Sequence, residues 1–339
     1  MLDILELVDP AELIGVVRAL QFPQFVLGGI LPRQTVEDVL YSLIRANADT
    51  TAAAPVRSFD TEAPIGRRPG ISRTTGALPP ISQKIALGES DRLMVRALLG
   101  QGTAEQQRLI DAIFDDAARM VRSVEARLEI ARGDALVDGI VTINENGVQF
   151  TVDYGVPSGT KVSAAAAWST VTTDMLGDLM TWLQAYIDLN GAPPARIVTS
   201  SQVMGYMLRN DSIRNALGAS AATMVTRQSL TDLLAAFGVP PIETYDAQLT
   251  NSAGTKARVI PADRVLFLPP NGELGRTQYG ITAEAVELAG EGLIGPADAA
   301  GVVATVFKDK DPVAVWTKGA AIALPIIANP DLLFVADVF

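Results

Sequence analysis

Ser158 and Lys161 stand three positions apart in the run GVPSGTK, residues 155–161, the S-x-x-K spacing in which a lysine activates a serine for acyl transfer. The S-D-N and K-T-G elements that complete such a site are absent, and Pro157 and Gly159 mark the run as a turn. The same residues resemble a phosphate loop, but Gly155 and Gly159 are one position too close and no Ser or Thr follows Lys161. Asp309-Lys310-Asp311 lacks the glycine and the distant glutamate of a calcium loop and reads as a solvated turn. The densest basic patch is GRRPGISR, with Arg67, Arg68 and Arg73. Arg57, Asp60 and Glu62 lie just before it, and that mixed sign suits contact with another protein surface better than contact with phosphate.

Composition narrows the chemistry further. The 339 residues contain no histidine and no cysteine. That excludes a Ser-His-Asp triad, imidazole or thiolate metal sites, disulfides and cysteine nucleophiles. No cofactor or metal is therefore expected. A net charge of −11 argues against a dedicated nucleic-acid binder, which needs clustered Lys and Arg, and suits a protein that lies near DNA without adhering to it. The apolar fraction of 48% supports a sizeable core, and the 20 prolines and 28 glycines recur without period. The acidic start MLDILELVDPAELIG does not read as a secretory signal, and the apolar run GAAIALPIIANP is too short to span a bilayer and is broken by Pro325. A soluble, non-secreted protein with no membrane partner is expected.

These residues need a scaffold, and its dominant piece is the stretch from Gly100 to Gly133. Thr103 followed by Gln106 forms a capping box, and Gly133, with Arg132 beside the negative end of the dipole, predicts the stop. Ile110, Ile113, Ala117, Met120, Val124 and Leu128 recur at steps of three or four and make one apolar stripe. Asp115 with Arg119, and Arg122 with Glu125, are spaced to pair on its flanks, so the helix is expected to lie on a surface. It would span roughly 45 Å.

Ahead of it, Asp9-Pro10 opens a short helix, and 33–49 is ambiguous: β-branched and aromatic residues favour an extended strand, the preferred reading, while the Val36, Leu40, Leu43, Ile44 spacing favours a helix. Thr50 to Leu93 holds Pro55, Pro64, Pro69, Pro79 and Pro80 with little apolar periodicity. Behind it, GIVTINENGVQFTVDYG predicts a hairpin around Asn144–Gly147. From Trp168 the pattern is mixed: a helix ending at Gly191, the strand ARIVTSS leading to a serine cap, two short helices, and IETYDAQL, DRVLFLPP and ITAEAVEL as strands. VVATVFKD, VAVWTKGAAIALPIIANP and LLFVADVF close the chain as further strands.

Taken together, FDTEAPIGRRPG with LPPISQKIALGE, then FLPPNGELGRTQYG, then the ending DPVAVWTKGAAIALPIIANPDLLFVADVF resemble the lambda-type major capsid proteins of tailed phages, which share the Hong Kong 97 fold. The resemblance implies an α+β fold with an N-terminal arm and first strand over 1–49 and an extended β-hairpin E-loop over 50–93. A peripheral domain would follow over 94–164, with a spine helix at 103–132 and a β-hairpin, then an α/β axial domain over 165–300 and returning strands over 301–339. It implies a non-enzymatic subunit that builds an icosahedral head from hexamers and pentamers and encloses double-stranded DNA without specific binding. Arg57, Asp60, Glu62, Arg67, Arg68 and Arg73 would contact neighbouring subunits. Too little chain precedes the arm for a fused scaffold, so a separate scaffolding protein is expected, with a portal and a decoration protein as further partners. Assembly would take place in the host cytoplasm and the product would be the virion shell. Lys84 is the only lysine before Lys161 and no motif marks an asparagine partner, so the resemblance does not extend to self-cross-linking. An encapsulin-like compartment of the same fold, and a serine–lysine hydrolase using Ser158, are the alternatives.

Overall fold

The computed structural model describes residues 10–20, 22, 25–36, 38, 40–46, 71–87, 103–145, 147–218, 225–251, 254–292, 294–295, 300–310 and 313–339. For 10, 11, 14, 18, 42–46, 71–74, 87, 103–110, 310 and 313 it describes the backbone alone.

Helices α1 (Pro10–Ala19) and α2 (Leu27–Ile30) lead into strands β1 (Arg33–Thr35), β2 (Leu40–Ala46), β3 (Ile71–Ala77) and β4 (Pro80–Leu87). The long helix α3 (Thr103–Asp138) is followed by the hairpin β5 (Ile140–Glu145) and β6 (Val148–Asp153), and by β7 (Lys161–Ser163). Next come α4 (Met175–Asn190), β8 (Arg196–Thr199), α5 (Ser201–Met207), α6 (Asp211–Ala216) and α7 (Arg227–Ala236). The strands β9 (Ile242–Thr244), β10 (Gln248–Thr250), β11 (Lys256–Arg258), β12 (Arg264–Leu268) and β13 (Gly275–Gly280) precede α8 (Ala283–Gly290). β14 (Val303–Lys310), β15 (Val313–Ile327) and β16 (Phe334–Asp337) complete the chain.

Two sheets share the molecule. One runs β7-β16-β12-β8-β9. Its central strands alternate in facing: Val198, Leu266, Leu268 and Val335 enter one core, while Ile197, Val265, Phe267 and Phe334 enter a second core covered by α4 to α7. A strand buried on both faces needs a continuous apolar run, which is what VLFL in β12 supplies. The other sheet is built on the 15-residue strand β15. Ile322 pairs with both Pro80 of β4 and Gly280 of β13, so these lie on opposite edges of β15, with β14 beyond β13 on the same edge.

α3 joins the two halves. Ile113, Ala117, Val121 and Val124 pack with Val315, Ala321 and Ala323 of β15, while Ala131, Ala135 and Leu136 enter the core between the sheets. The helix therefore does not end at Arg132. Gly133 lies within it because a Cβ there would stand 2.5 Å from the Val259 carbonyl oxygen, a close approach that only glycine permits. The stop falls at Gly139, whose φ of 65° is the left-handed conformation. The helix lies on a surface only in its first half, where Asp111, Asp115, Arg119 and Arg122 are exposed; from Leu128 to Val137 nearly every residue is buried. Its flank pairs also differ, since Arg119 meets Asp116 and Glu125 turns to Arg132.

Three other expectations are revised. Within 33–49 the described residues form two strands, β1 and β2, in place of one, with Asp38 between them accepting the Leu40 N–H at 3.2 Å. ITAEAVEL is not a strand but α8, started by Thr282, which accepts the Ala285 N–H. IETYDAQL breaks at Tyr245 and Asp246: the Tyr245 hydroxyl donates to Glu129, and the Asp246 carboxylate accepts the Ser201 N–H at 3.2 Å.

Candidate assembly surfaces and the buried polar centre

Ser158 and Lys161 are not assembled into a site. Ser158 is exposed on a 3-10 turn, and the Lys161 ammonium donates to the Asp138 carbonyl at 2.6 Å. Lys161 thus satisfies a free carbonyl at the end of α3, where a cation is favoured by the helix dipole. Among the described residues no group of three or more acidic, histidine or cysteine side chains could hold a metal ion.

The concentrated polar chemistry is instead buried. Glu125, Glu129 and Arg132 lie four and three positions apart and share one face of α3. Glu129 has no exposed surface. Its Oε1 accepts the Leu27 N–H at 2.9 Å and the Tyr245 hydroxyl at 2.8 Å, and its Oε2 accepts Arg132 Nη1 at 3.1 Å. Arg132 donates its Nε to Thr277 and its Nη2 to Tyr279, each at 3.1 Å, and its Nη1 lies 3.6 Å from Glu125. Tyr279 donates to Glu125 at 3.1 Å, and Thr277 donates to the Leu31 carbonyl at 2.9 Å. One cluster therefore ties α2, α3, β13 and the chain after β9 together.

A buried ion pair is favourable only when hydrogen bonds compensate its desolvation, and here no buried side-chain nitrogen or oxygen of the set is left without a partner. Burial opposes the Arg132 charge, but Tyr279, Glu125 and Glu129 outweigh it and raise its pKa. Burial also pushes the Tyr279 and Tyr245 phenols well above their usual range, as do Glu125 and Glu129 respectively, so both remain donors. The sequence carried one signal for this centre, the acid-acid-base spacing on α3. Nothing local marked Tyr245, Thr277 or Tyr279.

Two features face outward. β2 and β3 pair antiparallel, Leu40 with Ala77 through Ala46 with Ile71, as a ribbon that joins neither large sheet. An open groove of about 580 Å³ crosses α3, bounded by Pro79 and Gln83 before and in β4, Ile130 on the helix, Val148 on the hairpin and Asn251. Arg127 and Glu145 bridge it at 3.2 Å.

A family profile described as phage major capsid protein E matches residues 9–338. The chain belongs to that family. The structure is similar to a chain assigned as a prophage capsid protein of Escherichia coli CFT073, with a TM-score of 0.66 and 16% identity over 98% of this chain and 99% of that one. It is also similar to a phage-related protein of Bordetella bronchiseptica RB50, with a TM-score of 0.57 and 12% identity over 97% of each chain. No curated protein matches the sequence.

The capsid subunit thus has the mixed helix-and-sheet Hong Kong 97-like fold, and it is a shell-forming structural protein of the virion, not an enzyme. Among its described residues no helix is long and apolar enough to cross a membrane. Along α3, the helix expected to be the spine helix, Ile113, Ala117, Met120, Val124 and Leu128 are buried. The side chain of Ile110 lies outside the described residues, as do Arg57, Asp60, Glu62, Arg67 and Arg68. Arg73 is placed by its backbone, opposite Ile44 in the β2–β3 ribbon. The segment assigned to the E-loop through Leu93 includes β4, which pairs with β15 from Pro80 to Leu87 and is part of the main sheet. Lys84 lies on that strand with its ammonium 4.1 Å above the Trp316 ring.

Proposed function

We propose that this subunit assembles as hexamers and pentamers into an icosahedral head around double-stranded DNA, with its β2–β3 ribbon as the E-loop that overlies a neighbour. The observation that carries the reading is that the ribbon hydrogen-bonds to neither large sheet, although Tyr41 at its base is buried and packs edge-on to Phe150. A two-stranded hairpin is marginal alone in water, and Leu40 at its base is 53% exposed, so the ribbon needs a surface to rest on. The groove across the spine helix is the seat assigned to a neighbour's arm. Its rims combine apolar residues with the Arg127–Glu145 pair, matching an arm of mixed sign.

In this reading Arg57, Asp60, Glu62, Arg67, Arg68 and Arg73 make contacts between subunits and not with the genome. The spine-helix stripe, from Ile110 to Leu128, works inside each subunit and keeps it rigid. The peripheral domain comprises the spine helix, its hairpin and the β15 sheet, and the axial domain comprises the β12 sheet with α4 to α7. A separate scaffolding protein, a portal and a decoration protein complete the assembly, which takes place in the host cytoplasm. Each interface is weak alone, and many together make the shell effectively irreversible.

Sedimentation and negative-stain imaging of the purified full chain, with and without its scaffolding protein, test the proposal. Closed shells or capsomers are the expected product. A protein that stays monomeric at assembly concentrations with scaffold present overturns it, and shells that enclose protein cargo in place of DNA favour the encapsulin-like reading.

A further inference from the structure

Glu129 Oε1 carries two donors from distant parts of the chain, the Leu27 N–H and the Tyr245 hydroxyl. Leu27 opens the segment that passes along the centre before reaching β1. Gly28 in that segment lies against the Arg132 guanidinium, where an added Cβ would stand 3.4 Å from Nη1. Leu31 accepts from Thr277, Pro32 accepts the Thr277 N–H at 2.9 Å, and β1 then pairs in parallel with β13, Arg33 opposite Thr277. Tyr245 lies at the other side, where the chain leaves β9 of the β12 sheet, and its own N–H is held by Thr199 of β8 at 2.8 Å.

We propose that Glu129 is a conformational latch that couples the seating of the N-terminal segment 27–33 to the position of the Tyr245 strand end. The physical basis is sharing. A fully buried carboxylate is desolvated and depends on its few donors, so removing one of them changes how the remaining donors are held. Both donors act on the same oxygen, and that oxygen's side chain is fixed by Arg132 through Oε2. When the Tyr245 end moves away, Glu129 is left to turn toward Arg132 and the Leu27 N–H loses its aligned acceptor. Coupling between two sites is reciprocal, so release of the N-terminal segment likewise loosens the Tyr245 end. The latch gives the two sheets of one subunit a shared state, in which the N-terminal segment reports how the β12 sheet is set. The inference concerns the single chain and stands whether or not the E-loop reading holds.

Amide hydrogen exchange on the full-length protein, read by mass spectrometry over peptides spanning 27–33 and 242–251, tests the coupling. Tyr245→Phe removes the hydroxyl alone. It is expected to speed exchange at 27–33 about tenfold, as for contacting residues that share one network. Tyr186→Phe is the control: Tyr186 is buried in the other core, and its hydroxyl donates to the Leu332 carbonyl at 3.3 Å. It should leave 27–33 at the wild-type rate. If Tyr245→Phe quickens only 242–251, or changes neither segment, the latch is refuted. Equal acceleration of 27–33 by both variants shows general loosening and refutes it as well. Glu129→Gln is the second arm, keeping an acceptor but not the charge. Faster exchange in both segments supports the coupling, and wild-type exchange in 27–33 overturns it.

Discussion

Gly319 and Met120 meet where the spine helix crosses β15, and a Cβ built on Gly319 would stand 2.8 Å from the Met120 Cβ and 3.2 Å from its carbonyl oxygen. The helix backbone therefore rests directly on the strand backbone at this point. Gly319→Ala must push the two apart along a packed interface, and is expected to cost about 1–3 kcal/mol in urea unfolding. Trimming the methionine should not rescue it, because the obstructing atoms are its Cβ and main chain. A Gly319→Ala, Met120→Ala double variant that regains wild-type stability would show that the spacing is set elsewhere.

Among the described residues, Arg132 is the cation that pairs with both Glu125 and Glu129 in the buried centre. Replacing it with methionine leaves two carboxylates without their counter-charge, and the expected loss is about 3–5 kcal/mol. Arg132→Lys should also be damaging, since one ammonium cannot reach Thr277, Tyr279 and Glu129 in the directions the planar guanidinium does. Thermal unfolding of the two variants beside wild type reads both effects, and a wild-type midpoint for the lysine variant would contradict the geometry.

Asp134 gives the protein a pH dependence of a definite sign. Burial raises its pKa from 3.8 to about 6, Asp138 adds to the rise and Arg127 opposes it. The folded state therefore holds the proton more tightly than the unfolded chain. The stability linked to it is fully present below about pH 3.8 and is lost as pH rises through about 6. Asp134→Asn removes the charge at all pH values. Its unfolding midpoint should exceed wild type at pH 7.5 and converge with it near pH 3.5. An offset that does not change between those two conditions would sink the assignment.

Lys161 and Ser158 separate the structural from the chemical reading of their turn. Lys161→Met removes the cation from the Asp138 carbonyl and should lower stability by about 0.5–1 kcal/mol. Ser158→Ala, at an exposed position, should change nothing measurable. Loss of an acyl-ester hydrolysis rate on either change would restore the serine–lysine pair.

The charges assigned to the E-loop make a prediction about the shell. Exposed ion pairs are worth only about 0–1 kcal/mol each, so one charge removal is expected to be silent. Reversal of two charges repeats at every copy of the interface, and Arg67→Glu with Arg68→Glu should cut assembly yield. Normal shells with poor DNA retention would instead place these arginines against the genome.

Local punctuation was readable wherever the residue doing the work lies beside the element it ends. Asp174 accepts the Gly177 N–H at the start of α4, Gly191 closes it at a φ of 71°, and Ser200 accepts from Val203 at the start of α5. The spine helix shows where that reading runs out. Gly133 suits a helix end in sequence, yet it sits inside the helix where Val259, far along the chain, approaches its backbone, and the stop falls at Gly139. The charged face of the same helix fared similarly. Arg132 looked like a dipole partner because Thr277 and Tyr279 come beside it only once β13 is paired with β15. ITAEAVEL alternates well enough to suggest a strand, yet the cap at Thr282 and burial of Ala285 make it helical. The family was legible from the combination of motifs, whereas the buried centre was not, because its members meet only through tertiary structure.

The order of the strands fixes when a subunit can exist during its own synthesis. β4 finds its partner only when residues 315–322 have been made, and β12 lacks one neighbour until β16 follows. Both sheets thus wait for segments translated after all the other described elements, and the nascent chain spends most of its elongation unable to close either one. A chain cut short before β15 has no β15 sheet to carry the spine helix.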